Sequence, residues 1–136
     1  MIPVKDDTTI VDDDQLIRRI SKEHLKRDPT TGNQTLTSSA FQTPSKGRGN
    51  LSVDIEKLML ADNVNPAEFV MTGNFIAAVT LTAGQVRHVE LCVAKTPIED
   101  NPYHGDVGRS EGGRLTKKQR RELKENCAWL VKPQNT

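Results

Sequence analysis

Between residues 74 and 82 the chain reads Asn-Phe-Ile-Ala-Ala-Val-Thr-Leu-Thr, placing Phe75, Ala77, Val79 and Leu81 at every second position. Successive side chains of a strand point to opposite faces, so this spacing predicts a strand with one face in a core. Val89, Leu91 and Val93 repeat the alternation after a break at Ala83-Gly84-Gln85. A hairpin or a short helical turn around residues 85–88 joins the two runs. Half-buried strands need an apolar cover, and the flanking segments offer it at helical spacing. The fold class that follows is α+β, a small mostly antiparallel sheet packed against two longer helices and short connecting helices.

The first longer helix is expected over residues 13–26. Asp12, Asp13 and Asp14 supply cap side chains, Leu16, Ile17 and Ile20 follow at helical spacing, and Pro29 stops the run. On this reading Arg18 and Arg19 keep the polar side solvated, and His24 is a partly buried, hydrogen-bonded residue one turn beyond Ile20. The second longer helix is expected over residues 115–131. Thr116 and Gln119 form a capping box, Leu123, Cys127, Leu130 and Val131 an apolar stripe, and Pro133 the stop. Two short helices lie between them. One follows the strand-like Leu51-Ser52-Val53, capped by Ser52 or Asp54. The other opens at Asn65-Pro66-Ala67-Glu68, carries Phe69 and Val70, and ends at Gly73.

At 136 residues the chain is expected to form one domain. Residues 1–11 read as an extended arm able to add an edge strand, 12–132 as the α+β body, and 133–136 as a tail. Within the body, residues 29–50 are rich in Pro, Thr, Ser, Gly and Asn, which marks a mobile polar segment whose middle, 35–41, has strand character. Its Lys46-Gly47-Arg48-Gly49 has cations and glycines suited to a phosphate, without the full phosphate-loop spacing.

The formal charge of +1 conceals an uneven distribution. Residues 1–15 carry one Lys against Asp6, Asp7, Asp12, Asp13 and Asp14, a balance of −4; residues 114–132 carry seven cations against two acids, a balance of +5. Either the two ends attract each other or the last helix faces an external anion. Two cysteines, Cys92 and Cys127, are too few for a disulfide framework and read as small buried hydrophobes in a reducing compartment. An acidic start and the lack of a long apolar run fit a cytoplasmic protein.

His104 stands out for chemistry. It lies in Asn-Pro-Tyr-His-Gly-Asp-Val (101–107), with Tyr103 and Asp106 close in sequence, and imidazole moves protons near neutrality. Ser39 and Asp54 are the side chains expected beside it, and Arg109 a clamp for an anionic group. The same loop also serves as a plain turn. His88 and Glu90 read as a polar pair on the wet face of the second strand. No metal is expected: if both lie on that strand, His88 and Cys92 are about 13 Å apart at ~3.3 Å per residue.

Five landmarks, Asp-Gln-Leu-Ile-Arg-Arg-Ile (14–20), Ser-Ser-Ala-Phe (38–41), Leu-Ser-Val-Asp (51–54), the 101–107 segment and Ala-Trp-Leu-Val (128–131), follow one another along the chain. In this order they resemble a group of small uncharacterised bacterial proteins. The resemblance implies a bacterial or phage origin and one domain, carries no activity, and draws attention to Ser38, Ser39, Phe41, Ser52, Asp54 and His104 as a cluster.

The expected function is a non-enzymatic cytoplasmic interaction module without a cofactor. It would bind an acidic protein partner or nucleic-acid backbone through Lys117, Lys118, Arg120, Arg121 and Lys124, with Lys46, Arg48 and Arg109 as further anion-binding cations. The alternative is an enzyme acting on a phosphate-bearing or nucleotide substrate, with His104 as acid or base.

Overall fold

The computed structural model describes residues 3–43 and 50–134. Its eight strands are β1 (Gln15–Ser21), β2 (Leu25–Arg27), β3 (Gln34–Leu36), β4 (Leu51–Ile55), β5 (Phe75–Thr82), β6 (Cys92–Lys95), β7 (His104–Gly108) and β8 (Ala128–Val131). Four helices, α1 (Glu56–Ala61), α2 (Pro66–Val70), α3 (Ala83–His88) and α4 (Lys117–Asn126), and 3-10 turns at Lys22–His24 and Ser38–Phe41 connect them. Six strands form one antiparallel sheet in the order β6-β7-β4-β1-β5-β8, and β2 and β3 a separate hairpin. The α+β class with its antiparallel sheet is as expected.

The largest departure is residues 13–26, which hold the central strand β1 and not a helix. Leu16, Ile17 and Ile20 are all buried, but on two faces. Leu16 and Ile20 join the main core with Phe41, Ile55 and Val79, whereas Ile17 packs with Met59, Val70, Ala78 and Tyr103 on the other side. A strand covered on both faces shows no simple alternation, so apolar spacing of this kind fits a helix equally well. Full-length pairing with β5, from Gln15↔Thr82 to Ser21↔Phe75, decides the matter. The acids ahead of it do not cap a helix. Asp14 accepts from the Val11 amide and pairs with Lys57 at 2.8 Å.

The final helix is also shorter than expected. It ends at Asn126 with Cys127 already extended, and Ala128–Val131 becomes β8, bonded to β5. Its start is as read, with Thr116 and Gln119 exchanging both capping bonds. Between β5 and β6 the helical alternative holds, since α3 is opened by a capping box of Thr82 and Gln85. His88 therefore ends a helix and Glu90 has a left-handed backbone (φ 65), so the pair on a strand face does not exist. The short helix α2 begins at the expected Asn65 cap, but α1 follows β4 without a side-chain cap from Ser52 or Asp54.

The N-terminal arm lies along the β6 edge without becoming a strand. The Asp7 amide donates to Val93 O, and the Asp6 carboxylate accepts from the Val93 amide. Arg87 of α3 binds the arm through Asp6, Asp12 and the carbonyls of Asp7 and Ile10. Of the N-terminal acids, Asp6, Asp12 and Asp14 are matched by Arg87 and Lys57, and among the described residues none of the five pairs with α4. In the 29–50 region, residues 34–36 form β3 and residues 38–41 a 3-10 turn that buries Phe41 completely. The Lys46-Gly47-Arg48-Gly49 expectation lies outside the described residues. Among the described residues no helix is long and apolar enough to cross a membrane.

Candidate functional site

β1 and β4, neighbours at the middle of the sheet, pair only at Leu16↔Ile55 and Ile17↔Asp54. Past Ile17 the ladder stops. Continued in the same register, it would set Ser52 opposite Arg19. Instead Ser52 O accepts from Arg18 Nη1 at 3.1 Å, and Arg18 Nε donates to Ala40 O at 2.9 Å. A guanidinium thus takes the place of strand pairing in the split, held by two carbonyls and, among the described residues, within ion-pair distance of no carboxylate. Burial pulls its pKa down to about 10 even though Asp54 opposes the change.

Arg19 points to the other face and is fully engaged. Its Nε lies 2.8 Å from Asp54 Oδ2, and its guanidinium carbon sits 5.5 Å from the Phe69 ring centre and 5.6 Å from that of Phe75. Asp54 is only 3% exposed, so the pair is largely out of water, and Asn101 Nδ2 donates to its other oxygen. Asn101 Oδ1 in turn accepts from the Tyr103 amide, and Tyr103 donates its hydroxyl to Asp62. This chain of bonds fixes where β7 starts, and therefore where His104 stands.

His104 is not on a loop. It is the first residue of β7, in register with Asp54. Its Nδ1 lies 2.9 Å from Thr96 O and 3.0 Å from Thr96 Oγ1. A carbonyl only accepts, so Nδ1 carries the hydrogen and Nε2 keeps a lone pair. The group that orients the ring is Thr96, and not Asp106 as the local sequence suggests.

His24, in the 3-10 turn after β1, has the opposite arrangement. Its Nδ1 accepts from the Ser21 amide at 3.2 Å, which leaves the ring hydrogen on Nε2. Burial lowers its pKa below the ordinary histidine value, the positive charge of Arg18 lowers it further, and Glu23 pulls the other way.

These groups line one cleft of about 610 Å³. Arg18, Arg19, His24, Asp54 and His104 supply its polar side, and Phe69, Phe75 and Ile98 an apolar wall, of which Phe75 is 37% and Ile98 55% exposed. Four of the five sequence landmarks meet here, the Ser38–Phe41 turn through its Ala40 carbonyl. The fifth forms β8, an edge strand of the sheet.

Of the residues expected to act together, His104 and Asp54 share the cleft with Ser52, and Ser39 does not line it. Ser39 shares a short hydroxyl bond with Thr37. Arg109 is committed to Glu111 and the Arg114 carbonyl, in a different depression. Lys117, Lys118, Arg121 and Lys124 are exposed on α4 and Arg120 is half-buried; none of the five forms an ion pair among the described residues. Arg18 and Arg19 were missed as functional residues because a helix would have turned them to water, and His24 because a half-buried, hydrogen-bonded histidine on the apolar face reads as structural. Two adjacent arginines inside the otherwise apolar pentamer Leu16-Ile17-Arg18-Arg19-Ile20 were the available signal. Among the described residues no three His, Cys, Asp or Glu side chains converge to hold a metal ion. Comparison with protein-family models, with curated proteins and with solved structures found no match for this chain.

Proposed function

We propose that the cleft between β1 and β4 binds a small phosphorylated molecule with a flat apolar part, the anion against Arg18 and the apolar part against Phe69, Phe75 and Ile98. The observation that carries this is Arg18, a half-buried cation whose guanidinium donates to neutral carbonyls and, among the described residues, pairs with no carboxylate. Such a charge is stabilised by any anion that reaches it, and the water-poor setting strengthens the attraction. Phenyl phosphate tests the reading by NMR. Saturating chemical-shift changes at the Arg18 Nε–H and the His24 ring are expected with phenyl phosphate, weaker ones with inorganic phosphate, and none with phenol. Unmoved cleft signals at millimolar phenyl phosphate would refute it.

A second reading rests on α4, whose Lys117, Lys118, Arg121 and Lys124 are exposed and without ion pairs among the described residues. It makes the chain an interaction module for nucleic-acid backbone or an acidic partner. If all four cations meet phosphates of a duplex, the logarithm of affinity falls against the logarithm of salt with a slope near −3.6, at about −0.9 per phosphate. Lys118→Glu with Arg121→Glu should halve that slope. Duplex retention equal to the wild type at both low and high salt removes nucleic acid as a partner.

A further inference from the structure

We infer that a single-stranded nucleic acid binds along α4 with one of its bases stacked on Trp129. The inference rests on the reading of α4 as a backbone-binding helix, and adds to it the state of the strand and the place of a base. Lys117, Arg121 and Lys124 stand at i, i+4 and i+7 of α4, so they form one ridge about 10.5 Å long at 1.5 Å per residue. All three are exposed. Lys118, Glu122 and Glu125 repeat that spacing on a second ridge, where two acids outweigh one cation. The first ridge is therefore the one that an anionic backbone follows.

This ridge leads into a groove. Lys124, its last cation, borders two depressions of about 260 and 500 Å³ that share Thr35, Leu36 and Lys124, and so make one continuous groove beside the β2–β3 hairpin. Trp129 lines the smaller part and Lys26 the larger. Lys26 is in register with Thr35, which sets the two side chains on one face of the hairpin. Among the described residues neither Lys26 nor Lys124 forms an ion pair. The acid lining the groove, Asp28, accepts from the Thr30 and Thr31 amides and is outnumbered by the two lysines. Gln34 donates to the Gln134 carbonyl just past β8, so the hairpin wall is already tied in place before a ligand arrives.

Trp129 decides which kind of strand fits. Its ring packs against the main core but stays half-buried, and among the described residues no other aromatic ring or guanidinium stacks on it. A large indole surface beside free cations holds an unpaired base while the adjoining phosphates meet the lysines. A base inside a duplex is stacked between its neighbours and does not reach the ring, so the strand is single. Stacking uses the face that every base has, which makes the binding indifferent to sequence.

Trp129 is the only tryptophan of the chain, so its fluorescence reports on the groove directly. The full chain is titrated with an oligothymidine, an abasic strand of equal length, a duplex and poly-glutamate, following tryptophan emission and the anisotropy of labelled ligand. Oligothymidine should bind and quench the emission. The abasic strand, which keeps the phosphates and lacks the bases, should bind about 5- to 150-fold more weakly without quenching. Trp129→Leu should lower oligothymidine affinity to the abasic level, and Trp129→Phe should restore part of it. Lys26→Gln and Lys124→Gln should each reduce the slope of log affinity against log salt by about 0.7. The quenching arms need only the wild-type chain, so they decide the matter even where Trp129→Leu weakens the fold. Equal affinity for the thymidine and abasic strands, or unchanged emission at saturation, overturns the stacking and leaves α4 a binder of phosphates alone. A duplex bound as tightly as the single strand overturns the inference in the same way. Poly-glutamate bound as tightly as oligothymidine overturns it in favour of an acidic protein partner. No binding of any strand at low salt overturns the nucleic-acid reading of α4 and this inference together.

Discussion

Arg18→Met separates what the guanidinium does for the fold from what it does for a ligand. Burial pulls its pKa down to about 10. At about 1.4 kcal/mol for each unit below the ordinary guanidinium value, the charged form is disfavoured in the fold by at most ~3.5 kcal/mol, and methionine removes that cost while keeping most of the side-chain volume. In the opposite direction the Ala40 and Ser52 carbonyls lose their donor, at about 1–3 kcal/mol each if water does not replace it. The two effects largely offset, so stability should change by no more than ~2.5 kcal/mol, or about 10 °C in Tm for a chain of this size. Ligand affinity has no such compensation. Losing one charge-assisted hydrogen bond of about 1.5–3 kcal/mol weakens binding roughly 10- to 150-fold. Differential scanning fluorimetry with and without phenyl phosphate reads both quantities from one sample. A folded Arg18→Met protein that keeps the wild-type ligand-induced rise in Tm would refute the assignment. A loss of more than 15 °C without ligand would show that the guanidinium is there to close the gap between β1 and β4.

Asp54→Asn should act in the reverse sense. It strands the Arg19 charge over Phe69 and Phe75 and costs about 3–5 kcal/mol in urea unfolding, while an extra unbalanced cation tightens phosphate binding in titration calorimetry. For His24 the folded pKa lies below the ordinary 6.5. The unfolded chain therefore takes up the proton first, so His24 leaves stability unchanged above pH 6.5 and reduces it as pH falls below that value. In urea midpoints measured from pH 8 to 5, His24→Asn should flatten this part of the decline; an unchanged curve would show that the ring titrates normally. Gly105→Ala places a methyl 2.9 Å from the Ala94 carbonyl and 3.0 Å from Ile55 Cδ1. Overpacking between β6, β7 and β4 should cost about 1–3 kcal/mol in the same assay, and a neutral result would mean that β7 shifts freely. Burial raises the pKa of both thiols, Cys92 and Cys127. Iodoacetamide at neutral pH should modify them several times more slowly than it modifies the urea-unfolded chain, as followed by mass spectrometry.

Sequence alone determined the features that depend on near neighbours. The alternation of Ala77, Val79 and Leu81 identifies β5, the Asn65-Pro66 start identifies α2, and the Thr116 and Gln119 box identifies the beginning of α4, because each signal arises within a few residues. Asp54 and His104 were legible as polar residues of interest, and they do meet, as cross-strand partners. Tertiary structure alone decided the rest. Leu16, Ile17 and Ile20 fit a helix or a doubly covered strand equally well until β5 and β4 lie alongside, and residues 128–131 likewise become a strand only through β5. The cleft follows from the same long-range pairing. Arg18 is a surface residue on a helix but a half-buried charge in a split sheet, and the hydrogen-bond role of His104 is set by Thr96 across the start of β7.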